Sequence, residues 1–349
     1  MRIAGVGSAF PPNYYSQEEI CAALKNQWAG KLERPEVIDR LHASVGVKRR
    51  HLSLPIPAYE ELKTWGQANN AWIEVAQDLG KNSLCRALNS SGLSLQDLGA
   101  IFFTSVTGVA SPSIDARLVN RMGLPTRIKR VPIFGLGCVA GAAGIARAYD
   151  YVKAYPDQVA ALIAVELCSL TWQRDDVSVA NLISSGLFGD GAAAVLITGS
   201  QKGEIGPEIL GTRSNFYPGT EEVMGWDISE DGFRIVLSPD VPKMVHDHLA
   251  NDADEFLADY GFSRSDIGTW IMHTGGPKVL QAVSEALELP EKALEASWES
   301  LRNVGNLSSA SVLLVLEEFM TRRRPEPGTL SVLGAMGPGF CSELVLLRW

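Results

Sequence analysis

The chain has 349 residues, of which 46% are hydrophobic and 20% charged, ordinary globular composition with room for one large domain or two tightly packed ones. Its net charge of −9 argues against nucleic acid as the main partner, because phosphate binding needs a concentrated basic surface. The 5 cysteines (Cys21, Cys85, Cys138, Cys168, Cys341) are odd in number and lack CxxC or CxxH spacing, which speaks against a disulfide framework or a zinc site and fits a reducing cytoplasm.

The first residues, MRIAGVGSAFPP, read as a short strand and turn rather than a signal sequence, and no apolar run approaches the roughly 18 residues of a membrane span. Lys48, Arg49 and Arg50 form a basic run that suits either a solvated turn or the phosphate of a small molecule. Residues 98–108 (LGAIFFTSVTG) and 159–167 (VAALIAVEL) are continuous apolar runs bounded by turn residues, the pattern of buried strands. Between them, GAAGIARAYDYVKAYP places Ile145, Ala148, Tyr149 and Val152 on one helical face, and Pro156 stops the helix. Near the C-terminus, SASVLLVLEEFMTRRRPEPG does the same with Val312, Val315, Leu316 and Phe319; three arginines suit the negative helix end and Pro325 follows. Such alternation predicts a layered α/β fold. FGDGAAAVLITG and MGPGFCSELVLLRW both run G-x-G, small residues, then a final strand. The echo predicts a duplication with its seam near residues 200–206, giving halves at 1–202 and 203–349 packed as one body.

Cys138 sits in FGLGCVAGAAG, between an apolar strand and an alanine-rich helix. Glycines there permit a sharp turn, and a helix N-terminus favours thiolate, so the segment reads either as an activated nucleophile or as an inert buried cysteine. Of 5 histidines, His273 ends a probable strand in GTWIMHTGGPKVL, a recurring catalytic location in open α/β sheets as well as an ordinary place for a core histidine. Asn306, in NVGNLSSASVLL, reads either as a helix cap or as an amide facing a substrate opening.

Together GLGCVAGAAG, GLFGDGAAAV, MHTGGPKVL, VGNLSSASVLLVLEE and GAMGPGFCSELVL resemble the thiolase superfamily and, within it, the type III polyketide synthases related to chalcone synthase, over nearly the whole chain. The resemblance implies a thiolase-like fold of two similar αβαβα halves in a five-layer body, a homodimer, and a buried site reached by a coenzyme A tunnel. It implies acyl-CoA and malonyl-CoA as substrates, with no resident cofactor or metal. Cys138 in the first half matches the family's acyl-carrying nucleophile, and the second half supplies its partners. His273 matches the histidine that keeps the thiolate ionised and bonds a thioester carbonyl; Asn306 matches the asparagine that shares that carbonyl. Phe188 falls where a phenylalanine flanks the pocket and assists decarboxylation, and Thr171 and Ser308 match positions that shape starter choice and chain folding.

Departures from the plant pattern point to a subtype. Met336 replaces an aromatic in the GFGPG loop, and Ser111 stands where plant enzymes place a methionine that enters the partner's cavity. TGVASPSIDARLVNRMGLP and MGWDISEDGFRIVLSPDVP resemble bacterial enzymes that make alkylpyrones and alkylresorcinols from fatty acyl starters, with Trp226 and Ile235 facing the cavity. Arg40, Lys48, Arg49 and Arg50 are the coenzyme A candidates. The alternative is a ketoacyl-acyl carrier protein synthase III-like enzyme making a single condensation. Those enzymes usually carry an asparagine shortly after the histidine, where this chain has Thr274-Gly275-Gly276-Pro277.

Overall fold

The computed structural model describes residues 1–32 and 34–349. The first half opens with β1 (Arg2–Ala9), β2 (Asn13–Ser16), α1 (Gln17–Gln27), α2 (Glu36–Ser44) and β3 (Arg49–Leu52). The long α3 (Trp65–Ser91) follows, set by a capping box of Thr64 with Gln67 and closed by Gly92 in the left-handed region at φ 71°. Then come β4 (Leu98–Thr104), α4 (Ile114–Met122), β5 (Lys129–Ile133), α5 (Ala140–Ala154), β6 (Val159–Leu167), α6 (Val179–Leu187) and β7 (Asp190–Thr198). The second half holds β8 (Glu208–Phe216), the hairpin β9 (Met224–Ser229) and β10 (Gly232–Leu237), α7 (Val241–Ala258) and β11 (Ile267–Met272). It ends with α8 (Pro277–Ala286), α9 (Glu295–Val304), α10 (Ser311–Thr321), β12 (Leu330–Gly337) and β13 (Cys341–Arg348). Among the described residues no helix is long and apolar enough to cross a membrane.

Nine strands run in the order β11-β12-β13-β8-β1-β7-β6-β4-β5, and two halves of similar pairing are visible in that order. In each half the first strand pairs antiparallel with the last (β1 with β7, β8 with β13), and the last pairs antiparallel with the one before it (β6, β12). That strand then pairs parallel with an earlier one, β4 or β11. The halves meet at Arg2 opposite Glu208, flanked by bonds from Ile3 N to Pro207 O (3.0 Å) and from Ile209 N to Met1 O (2.9 Å).

Strand side chains alternate between two faces, so each half of the sheet divides its apolar residues between a shared centre and its own outer side. In β6, Ala160, Leu162 and Ala164 face the centre, while Ala161, Ile163 and Val165 pack with Leu79, Leu84 and Ala87 of α3. In β13, Val345 and Leu347 face the centre, while Leu344 and Leu346 pack with Val245, Leu249 and Leu280 of α7 and α8. Helices α5 and α10 fill the middle, completing five layers of the thiolase-like kind. This explains one departure from periodicity. All of Val312, Leu313, Leu314, Val315 and Leu316 are buried, because α10 has strands or helices on every side, whereas Phe319 is only half-buried. The strand expected at 98–108 ends at Thr104, because the buried carboxylate of Glu166 accepts from Val106 N (3.1 Å) and the hydroxyls of Ser105 and Thr107 (3.3 and 3.1 Å), taking that backbone out of the ladder.

Candidate active site

Cys138 occupies a single 3-10 turn, Gly137–Val139, immediately ahead of α5. Gly135 and Gly137 have φ of 93° and 55°, backbone that residues with a Cβ rarely adopt, and this swings the chain from β5 into the turn. Gly141 serves a different purpose. A Cβ there would lie 2.3 Å from Ser309 O, so the bare helix face lets α5 rest against the turn that follows Asn306.

The second half delivers two side chains to this spot. His273 directly follows β11, tied through its backbone N to Gly334 O of β12 (3.0 Å). Its ring is buried, and neither Nδ1 nor Nε2 has a hydrogen-bond partner. Asn306 is not the N-cap of α10, as the simplest local reading had it. Its Oδ1 accepts from Ser308 N (2.7 Å) and Ser311 Oγ (3.3 Å), which turns the amide N–H groups towards the Cys138 thiol. Its backbone pairs across Phe188: Asn306 N donates to Leu187 O and Gly189 N donates to Asn306 O, both at 2.9 Å. Phe188 and Asn306 therefore move together.

Cys138, His273, Asn306, Phe188 and Met336 border one cavity of about 520 Å³ whose outer walls are the apolar side chains of Val179, Ile183, Val241 and Val245. Behind it lies a narrow chamber of about 50 Å³ bordered by Cys138, Phe188, Thr171, Ser308, Trp226 and Ile235. Trp226 and Ile235 sit opposite each other in the β9–β10 ladder, so both reach the chamber from one hairpin face. Cys138 and Phe188 stand at the junction. Ser111 is exposed and borders neither space.

The coenzyme A candidates divide. Arg40, Lys48 and Arg49 are exposed but do not border the cavity. Arg50 is corrected: it is fully buried, with Nη1 donating to Phe188 O (3.2 Å) and Nη2 to Ser185 O, so it has no face to offer a phosphate. Strand alternation separates it from Arg49, an effect invisible in a run of three cations. The exposed cation that does border the cavity is Lys278, in the first turn of α8. Within MHTGGPKVL nothing local sets Lys278 apart from an ordinary surface lysine. Cys168 and Glu166 are likewise unmarked; nothing local distinguishes them from other strand residues.

Residues 2–201 match the family described as "Chalcone and stilbene synthases, N-terminal domain", and residues 208–349 match its C-terminal domain. The chain is 52% identical to the 1,3,6,8-tetrahydroxynaphthalene synthase of Streptomyces peucetius subsp. caesius, over 99% of this chain and 93% of that one. It is 34% identical to a putative chalcone synthase of Bacillus subtilis (strain 168), over 99% and 98%. Among solved structures it superposes on the 1,3,6,8-tetrahydroxynaphthalene synthase of Streptomyces coelicolor A3(2), described as a bacterial type III polyketide synthase, with a TM-score of 0.94, 32% identity and coverage of 100% and 99%. The chain belongs to the chalcone and stilbene synthase family. It is a type III polyketide synthase, a Claisen-condensing acyltransferase, and the single-condensation alternative gives way.

The electrostatics of this synthase are set by burial. Loss of solvent pushes the Cys138 thiol up to about 12, a nearby Glu166 adds to the rise, and hydrogen bonds from Ser308 and Asn306 offset part of it. The helix end alone predicted a lowered thiol; without substrate, desolvation outweighs it. Burial pulls His273 down to about 4, so at neutral pH the imidazole is uncharged and holds a free lone pair. The neutral thiol and the uncharged imidazole border the same cavity. Glu166, pushed up to about 7 by burial, lies behind the thiol with its oxygens occupied by Val106 N and by Ser309, Thr107 and Ser105 hydroxyls.

Proposed function

We propose that Cys138 carries the growing chain as a thioester and that successive malonyl-CoA units extend it before the chain closes into a hydroxylated aromatic ring. In loading, the Cys138 sulfur attacks the acyl-CoA carbonyl, His273 takes the thiol proton, and coenzyme A leaves with it. In extension, malonyl-CoA loses carbon dioxide, and the electron pair of the broken C–C bond becomes an enolate whose carbon attacks the Cys138 thioester; the acyl–sulfur bond breaks, Cys138 leaves as thiolate, and the lengthened chain, now on coenzyme A, is transferred back to Cys138 for the next round. Two fixed donors, the His273 ring N–H and the Asn306 amide, stabilise the enolate oxygen. Phe188 presents an apolar face that disfavours the hydrated carboxylate and so favours its loss. Decarboxylation itself supplies the carbanion, so the chemistry calls for no resident cofactor.

The observation carrying this reading is that Cys138, His273, Asn306 and Phe188, from both halves of the chain, border a single cavity. Tetrahydroxynaphthalene, the product in the names of the Streptomyces relatives, is a ring system without an alkyl tail, which supports ring formation from malonyl units. A fatty acyl starter giving an alkylpyrone or alkylresorcinol is the second reading, favoured by the apolar outer walls at Val179, Ile183, Val241 and Val245. Lys278 at the cavity's edge is the cation best placed for a coenzyme A phosphate. The proposed working unit is a homodimer. Strand β5 is one of the two edges of the sheet, and its exposed Val131 and neighbouring Phe134 offer an apolar surface to a second copy.

Malonyl-CoA alone, then malonyl-CoA with a fatty acyl-CoA, separates the two readings by product mass. Cys138→Ala abolishes acyl loading and extension, while Cys138→Gln keeps malonyl decarboxylation. Extension by Cys138→Ala would show that the nucleophile has been misassigned.

A further inference from the structure

A second large space lies outside the catalytic cavity. It measures about 720 Å³, and its lining is mainly polar, with exposed Lys63, Asp231 and Arg234 at its rim. Thr171 and Trp172 border both this outer space and the narrow chamber behind Cys138. The wall between them is therefore one short stretch of chain, the turn Cys168–Thr171 and the residue that follows it.

That stretch is held in place from both sides. Thr171 Oγ1 donates to Cys168 O (2.8 Å), closing the turn on itself. Gln173 Nε2 donates to Phe233 O (3.0 Å) and Asp231 O (3.2 Å), fastening the end of the wall to the β9–β10 hairpin. The Trp172 ring packs on Tyr59 with centroids 5.2 Å apart. Its indole N–H is buried and has no partner, so the side chain is kept by its bulk and not by a polar bond. Thr171 spends its hydroxyl on the turn's own backbone and is short. The indole is the only large group of the pair.

The geometry points to Trp172 as the stop that limits how far the acyl chain on Cys138 grows. A poly-β-ketone lengthens by insertion at the sulfur, so each extension pushes its far end away from Cys138. The chamber of about 50 Å³ meets the outer space at Thr171 and Trp172, of which Trp172 has the bulk to block the way. Beyond it, a polar outer space suits a chain bearing a carbonyl at every second carbon and suits an alkyl tail poorly. Removing the indole joins the two spaces.

This inference rests on the proposed extension on Cys138, and the two are tested separately. Wild type, Trp172→Ala and Trp172→Phe are incubated with malonyl-CoA, products are sized by mass spectrometry, and the acyl group on Cys138 is measured on the intact protein. Trp172→Ala is expected to yield products heavier by one or more acetate-derived units, and Trp172→Phe, which keeps an aromatic plug, to hold the wild-type length. If Trp172→Ala does not stay folded, Trp172→Leu is read in the same way. Acylated Cys138 with unchanged or shorter products overturns the inference and leaves the proposed function standing. So does loss of acylation in the folded Trp172 variants, which would make the indole part of the thiol's own site. Absence of any acyl group on wild-type Cys138 overturns the proposed function itself.

Discussion

Arg50 sits with no exposed surface beneath the loop that carries Phe188, and it has two acceptors, the carbonyls of Phe188 and Ser185. Both lie at the C-terminal end of α6, where carbonyls lack helical partners and a cation is favoured. Burial pulls the guanidinium down to about 10, with Asp190 opposing the fall, so the group stays charged at neutral pH. Arg50→Met removes both donors. A buried carbonyl left without a partner costs about 1–3 kcal/mol, and relief of the buried charge returns part of the sum, giving an expected net loss of about 2–4 kcal/mol. The same change frees the Phe188 peptide, to which Asn306 is paired on either side, so the aromatic wall and the carboxamide shift together. A displacement of about 1 Å at reacting groups lowers turnover by about 10²-fold. Arg50→Lys keeps the charge but is a single-point donor that does not span both carbonyls, so it falls between wild type and Arg50→Met. Urea unfolding midpoints and steady-state kcat and KM for malonyl-CoA measure both effects. Unchanged stability and kcat with a raised KM would refute the clamp and return Arg50 to the phosphate role that its place in the basic run first indicated.

Asn306→Ala removes one of two enolate donors and is expected to slow malonyl-CoA decarboxylation by about 10²–10³-fold, read as carbon dioxide release; a change below tenfold would leave the carboxamide without that role. The thiolate is the reactive form of cysteine, and Cys138 is pushed up to about 12. Its alkylation by iodoacetamide in the free enzyme should therefore rise about tenfold per pH unit between about pH 6 and 9; a rate already flat across that range would mean a preformed thiolate–imidazolium pair. Gly141→Ala places a Cβ 2.3 Å from Ser309 O, forcing α5 away from the turn beside Asn306. Expected losses are about 1–3 kcal/mol of stability, as for other overpacked sites, and most of the turnover; wild-type kinetics would show that the thiol tolerates that shift.

Much of the chemistry was readable locally. Glycines beside Cys138 announce a turn because left-handed backbone excludes most other residues, and the apolar run at 159–167 is strand β6 to the residue because both of its faces are buried. The strand order displays two halves of similar topology. What no window of the chain contains is the meeting of parts far apart in sequence. Cys138, His273 and Asn306 come together because the two halves of the sheet close on the α5–α10 pair, and that closure, by excluding water, also reverses the thiol's expected ionisation. Arg50 turned from surface cation to buried clamp through strand alternation and the approach of α6, and the chamber's limit at Trp172 exists only where a turn after β6 divides two cavities. Local sequence encodes backbone preference and hydrophobic period, which act over a few residues. Burial, enclosed volume and desolvation are properties of distant segments packed together, so they arise only once the chain has folded.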